Sequence, residues 1–391
     1  MWHRAFCILF FAWAWIPGPV MAQSSTAPGA AASDAAATSL AGPGQSDVFT
    51  ARGLAVDVTA KSALAARKLA LLDGQRRALD QVLRRITLRS DHATLPKPDD
   101  NAIAQLVAAV QVADEKTSSV RYLAQLTVRF HRPAIRSLLR GASFSFSETR
   151  AKPTLVLPVF EKGAALSLFE DSNIWRRAWG RLDLAADSLL PLLLPRGDLK
   201  DVTTIAAKAA LAGSEEQLHA IAKRYGVDNV LVTHAILSID LAAGGVPQVQ
   251  VNMLRFTPRG KSTEVLDYGV KVADDLDTAM DRLARRITGD QLEQWKRRTQ
   301  LSFDADTSLS AEVPLSGLAD WLSIRQRLNA SAMVRTIKLL SISRESAQVI
   351  IDYLGDTDSL VISLAQRDLH LSMVDGFWVL GLAGQGAVKA E

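Results

Sequence analysis

A chain of 391 residues has room for two or three domains, each with a core of its own. Its 48% apolar and 22% charged residues are those of folded protein and exclude wholesale disorder. The 45 Lys and Arg nearly balance the 41 Asp and Glu, and Arg pairs such as Arg76-Arg77, Arg84-Arg85 and Arg285-Arg286 are interleaved with Asp73, Asp80 and Asp281. Such pairs read as solvated helix faces; the clustered cations and interleaved aromatics of a nucleic-acid groove are missing.

The N-terminus carries an address. Met1-Trp2-His3-Arg4 is a short positive lead and Ala5 to Ile16 an apolar run of signal-peptide length. Pro17 and Pro19 break the run, and Val20-Met21-Ala22 offers small residues at a cleavage site. The pattern predicts a secretory signal peptide over 1–22 and a periplasmic location. The alternative is an uncleaved N-terminus anchored in the inner membrane, for which the run is short. Cys7, the single cysteine, lies inside the run without a lipobox, so the mature chain has no disulfide and depends on packed cores. Residues 23–46, rich in Ala, Ser, Gly and Pro with Asp34 as the one charge, read as a flexible linker.

The first domain is expected over 47–149. Val48 to Val58 reads as a strand around Gly53. Ser62 opens a long helix with Leu72, Leu79, Val82, Leu83 and Ile86 on its inner face. A second helix is expected over Ala102 to Ala109, then a hairpin of Val110 to Lys116 and Val120 to Phe130. In the second arm, apolar and polar residues alternate with the period of a half-buried strand. Pro133 starts a helix with Ile135, Leu138 and Leu139 inward, and Gly141 ends it.

The second domain, 152–301, opens with the nearly all-apolar strand Pro153 to Phe160. A helix follows with Trp175 and Trp179 one turn apart. Helices are then expected over Asp201 to Leu211 and Ser214 to Tyr225, the latter with Ser214 and Gln217 as a capping box. Val230 to Ile239 is a strand. Val249 to Phe256 and Glu264 to Val272 form a hairpin about Pro258-Arg259-Gly260. Asp274 to Arg298 is a long helix, acidic early and basic late as its dipole prefers.

The third domain, 310–380, has the order of a ferredoxin-like split βαβ fold. It comprises a strand at Glu312 to Leu315 and a helix over Gly317 to Leu328, with Leu318, Trp321, Leu322 and Leu328 inward. A hairpin of Val334 to Ile342 and Ala347 to Tyr353 follows, then a helix over Asp356 to Gln366 and one or two strands over Leu369 to Leu380. The fold class is therefore α+β, multi-domain, with mixed sheets and helices packed on one face.

Several of these segments resemble a known family. Arg121-Tyr122, Leu126-Thr127-Val128-Arg129-Phe130, Ile135-Arg136-Ser137-Leu138-Leu139 and Pro153 to Val159 look like the signature of the bacterial family named domain of unknown function 2066. Gly53 to Asp57 and Gly74 to Leu79 fit it too, over roughly 47–300; His131 stands where that family tends to carry an acid. The resemblance implies an exported envelope protein and no particular reaction. Leu218 to Val232 is similar at the level of fold to periplasmic modules of the TolB N-terminal, curli-secretion and flagellar-ring-accessory type, which are assembly and docking domains.

The chemistry legible in the chain is sparse. Nucleophile elbows, Ser-x-x-Lys pairs, zinc helices and phosphate loops are missing. His92, His131, His219, His234 and His370 have no His or Cys at ligand spacing, and Asp304-Ala305-Asp306 lacks the glycine and glutamate of a calcium loop. Asp352, Asp356 and Asp358 gather at a strand-to-helix turn, where Asp356 reads as an N-cap. Trp321 and Trp378 have core spacing. Trp175, Arg176 and Trp179 are the candidate partner-binding residues, although core packing is the favoured reading of the two tryptophans. These readings predict a non-enzymatic binding or assembly module with an envelope protein as partner, no nucleic acid, no cofactor and no metal; a peripheral membrane contact is compatible. The alternative is an enzyme processing envelope polymers through carboxylates such as Asp183 and Asp187.

Overall fold

The computed structural model describes residues 48–184, 187–239, 247–258, 260–264, 268, 270–271, 275–301 and 306–384. The signal segment, the 23–46 linker, Arg259 of the hairpin turn and Asp304-Ala305 lie outside the described residues. The described parts form three sheets.

The first is antiparallel, in the order β1 (Thr50–Thr59), β3 (Arg121–Phe130), β2 (Val107–Thr117). Helix α1 (Ala63–Ile86) starts where Ser62 Oγ accepts the Ala65 amide at 3.2 Å and lies across β1 and β3. Its inner face is small in the first turns, where Ala66, Ala70, Gly74 and Ala78 are buried, and large from Leu79 to Ile86; a Cβ at Gly74 would strike Leu126. Leu72 is only half-buried. Gly53, at φ +66°, sits in the bulge where the β1 register shifts. Helix α2 (Asp100–Leu106) ends three residues before the expected Ala109, because Val107 onward pairs with β3. Cross-strand pairing overrides the helix propensity of Ala108 and Ala109. Helix α3 (Arg132–Gly141) buries Ile135 and Leu139.

The middle sheet runs β10 (Val270–Lys271), β8 (Pro247–Thr257), β7 (Asn229–Ile239), β4 (Thr154–Lys162), β5 (Ala165–Ser167); β6 (Leu192–Leu193) also flanks β4 and β9 (Gly260–Glu264) also flanks β8. In the expected second hairpin arm, Glu264 ends β9 and Val270–Lys271 are β10, and both strands pair with β8. Strands β4 and β7 are parallel. One-sided helix packing, expected throughout, does not hold here. Leu155, Leu157, Val159 and Val232 face α6 (Ala207–Ala212) and α7 (Glu215–Arg224). Val156, Phe160, Leu231 and Ala235 face α4 (Ile174–Gly180) and α8 (Leu276–Arg298). A strand that is apolar at every position needs cover on both faces.

The expected helix from Asp201 to Leu211 is broken in two. α5 (Leu199–Thr204) stops where Ile205 turns extended, at φ −148° and ψ 130°, and drops into the core. Thr203 and Thr204 hydroxyls both donate to Lys200 O, the local competition that disfavours helix interiors. The expected capping box also fails. Ser214 makes no side-chain cap, and the buried Gln217 Oε1 has no partner among the described residues.

The third sheet runs β12 (Val334–Ile342), β13 (Ser346–Leu354), β11 (Asp306–Pro314), β15 (Phe377–Leu382), β14 (Leu369–Val374). Its first three places are those of the split βαβ; β15 then lies parallel to β11 and pushes β14 to the edge. Asp356 caps α10 (Thr357–Ala365), its Oδ1 accepting the Ser359 amide at 2.7 Å. Helix α9 (Leu318–Asn329) buries Trp321, Ile324 and Leu328, whereas Leu318 and Leu322, expected inward, are 65% and 55% exposed. The spacing that unites 321, 324 and 328 turns 318 and 322 onto the flank.

The first and third segments share one core, a cluster of buried residues that also takes in Phe146, Leu189 and Leu301, whereas the middle sheet keeps two clusters of its own, one on each face. Helix α8 locks the joint: Trp295 Nε1 donates to Thr149 O at 2.8 Å, and Lys296 Nζ donates to Arg84 O, Thr87 O and Glu293 Oε1 at 3.0, 2.7 and 3.1 Å. Lys296 thereby satisfies carbonyls at the C-terminal end of α1 that the helix itself leaves open. The described residues form one compact unit. Among the described residues no helix is long and apolar enough to cross a membrane.

Candidate functional site

The aromatic candidates are core. Asn173 caps α4 by accepting the Arg176 amide at 2.8 Å. That start turns Trp175 and Trp179 inward, and both are fully buried. Their rings meet edge to face, with centroids 5.8 Å apart, and Trp175 Nε1 donates to Thr233 O and Oγ1. Arg176 reaches along the surface to donate to Arg196 O at 2.6 Å. The three residues therefore offer no aromatic docking face, because β7 requires cover from exactly this side of the sheet. The carboxylate candidates do not pair either. Asp183 is exposed, whereas Asp187 is buried and bound to Arg52 and Arg85.

What the sheet assembles instead lies toward the carboxyl ends of its parallel strands. Glu161 on β4 and His234 on β7 meet at 2.7 Å, Oε2 to Nε2, with both side chains partly exposed. Opposite His234 on β8 stands Asn252, whose Oδ1 is buried without a partner among the described residues. In open α/β sheets ligands collect at this end of the strands. An imidazole whose Nε2 proton faces a carboxylate presents Nδ1 as an acceptor, and the pair can move a proton. His234 was expected to be a strand-end histidine, whereas the structure places it midway along β7. Its partner depends on the β4–β7 register, and the one local signal was a glutamate closing an apolar strand.

At the opposite, amino-terminal end of β7 lies a cleft of about 650 Å³ between α7, the loop after it, and the β8–β9 turn. Ala222, Val227 and Phe256 give it an apolar floor. Its acids are committed: Glu215 pairs with Lys261 at 3.1 Å and Asp228 with Lys152 at 2.8 Å. Lys223 and His219 have no hydrogen-bond or ion-pair partner among the described residues, leaving the cleft with uncommitted basic groups. They also lie far apart in role from His234; the two histidines are not brought together as a ligand pair.

The end of α7 is fastened from behind. Buried Asp201 accepts from Arg224 Nε, Tyr225 OH and Gly197 N–H at 2.7, 2.6 and 2.8 Å. Burial alone would raise its pKa, but the Tyr225, Arg224 and Gly197 hydrogen bonds outweigh it and hold the carboxyl below its ordinary range. Among the described residues no group of three or more His, Cys, Asp or Glu could hold a metal ion.

Fold and site together define a multi-domain α+β protein built on three sheets, with a polar pair on adjacent parallel strands and a separate amphipathic cleft at the amino end of β7. Comparison with protein families, with curated proteins and with solved structures finds no match to this chain.

Proposed function

We propose that the chain is an exported protein of the bacterial cell envelope, resident in the periplasm, acting as a non-enzymatic binding or assembly module. The signal-like residues 1–22 and the family resemblance support export. The observation that carries the binding role is the cleft beside α7, where an apolar floor lies under Lys223 and His219 while the neighbouring acids are neutralised. Such a surface suits an acidic, partly apolar segment of an envelope partner protein. A photo-crosslinker placed at His219 in intact cells tests this. The expected result is one adduct with a defined envelope protein, lost on Lys223→Glu, from a mature chain that begins at Gln23. A full-length chain in the cytosol, or an adduct indifferent to Lys223→Glu, would overturn the proposal.

A second reading, an enzyme acting on envelope polymers, is favoured by the Glu161–His234 pair rather than by Asp183 and Asp187. It requires purified protein to cleave envelope glycan or peptide and His234→Ala to abolish the cleavage.

A further inference from the structure

The first sheet has two edges, and they are treated differently. On the β1 edge, Arg85 Nη1 donates to Val48 O and Thr50 O at 2.9 and 2.7 Å, and Arg77 Nη1 donates to Ala55 O at 2.9 Å. Because Phe49 O already accepts from Phe130 N–H, the carbonyls of Val48 and Thr50 point outward, and the arginines of α1 occupy acceptors a further strand would need.

Strand β2 forms the other edge. Among the described residues no group bonds to its outer backbone; its sole ladder partner is β3. From Val107 to Ala113 it carries no charge, proline or glycine, and its register with β3 runs without a bulge from Ala109 to Ala113. This is the composition that adds strands. The core is also open at this rim. Leu71, Val110 and Val112 are only partly buried, and Leu64 is 78% exposed. Arg67, which shares a face of α1 with Leu64 and Leu71, reaches Glu115 of β2 at 3.2 Å, so these leucines flank the same edge.

We propose that the β2 edge pairs antiparallel with β2 of a second copy of this chain, about a two-fold axis at Gln111, joining two three-stranded sheets into one of six strands. The choice of a second copy over a foreign strand comes from the polar content of the run. Its one polar residue, Gln111, carries an exposed amide that both donates and accepts, so across a two-fold axis it complements itself. In that register Asp114 and Glu115 face Ala108 and Val107, so no like charges stand opposite one another. A different partner would meet no charged residue in the run by which to be selected.

Charge placed at the two-fold axis tests the pairing. Sedimentation of the mature chain at tens of micromolar is expected to give a dimer. Gln111→Lys and Gln111→Glu are each expected to sediment as monomers with unchanged circular dichroism, and their equimolar mixture to sediment as a dimer again, since opposite charges then face each other. With Cys7 lost at cleavage, Gln111→Cys is expected to oxidise to a disulfide-linked dimer, whereas Leu340→Cys on the β12 edge stays monomeric in the Gln111→Lys background. A monomeric wild-type chain, failure of the mixture to re-form a dimer, or a dimer that survives Gln111→Lys would each overturn the proposal. None of these readouts depends on what the α7 cleft binds.

Discussion

The two ends of α8 use the same chemistry for opposite ends. Near its start, Asp277 and Asp281 meet Arg177 of α4 and Arg181 just after it, at 3.1 Å for Arg177–Asp277 and 2.6 Å for Arg181–Asp281, in pairs that water reaches. Near its finish, Lys296 and Glu293 are buried; Glu293 accepts the Arg89 amide at 2.9 Å while Lys296 holds the end of α1. The exposed pairs trade hydration for Coulomb attraction almost evenly. The buried pair has no water to fall back on, so removing either member leaves its partners unsatisfied. Which contacts hold the molecule together is decided by burial, not by the number of ion pairs.

Breaking that contrast at its strong end should have the largest effect. Lys296→Met removes the donor to Arg84 O and Thr87 O and strands the Glu293 carboxylate, at an expected cost of about 3–5 kcal/mol. Urea unfolding of the variant would measure it; a loss below that of an exposed pair would void the distinction drawn here.

The same pair predicts how stability follows pH. Burial would raise the Glu293 pKa, but the Arg89 amide and Lys296 more than offset this and hold it below its ordinary value. Its contribution is thus present above the ordinary carboxylate range and lost as pH falls through the lowered folded value. For Lys296, burial wins over the attraction of Glu293 and lowers the pKa. The folded state then binds that proton less tightly than the unfolded one, so this group adds stability as pH rises between its lowered and ordinary values. Unfolding of the wild type and of Lys296→Met, compared across both windows, should show the alkaline component vanish with the lysine and the acid one diminish.

Asp201 is intermediate, buried like Lys296 but carried on a short helix. Asp201→Asn replaces an ionised acceptor for Arg224 and Tyr225 by a neutral one and should cost about 2 kcal/mol. It should also loosen the loop at Arg196–Asp198, read as faster amide exchange at Gly197.

These differences explain what could be read before folding. Period and punctuation revealed the long helix α8, the β12–β13 hairpin and the all-apolar β4, because each depends on neighbours in sequence. The capping box at Ser214, the helix through Ile205 and the inward Leu318 and Leu322 failed where tertiary burial chose a different face or break. Lys296 read as one more basic residue in a helix's last turn; its two carbonyl acceptors lie more than two hundred residues away. The Glu161–His234 pair was hidden in the same way, by strand register, whereas the core packing favoured for Trp175 and Trp179 followed from aromatic residues one turn apart.

The weak end of the contrast sharpens it from the other side. Arg181 contacts both Asp281 and Asp277, its guanidinium stabilised by the hydrogen bond to Asp281 despite some desolvation. Because it remains exposed, Arg181→Ala should cost only about 0.2–1 kcal/mol. That loss should shrink further in molar salt, where screening shortens the reach of charge to about 3 Å. The Lys296→Met loss should persist in the same salt, since ions do not enter its site. Measured together, a salt-sensitive Arg181 effect and a salt-insensitive Lys296 effect would place the two ends of one helix in different electrostatic regimes, and equal salt responses would erase the difference.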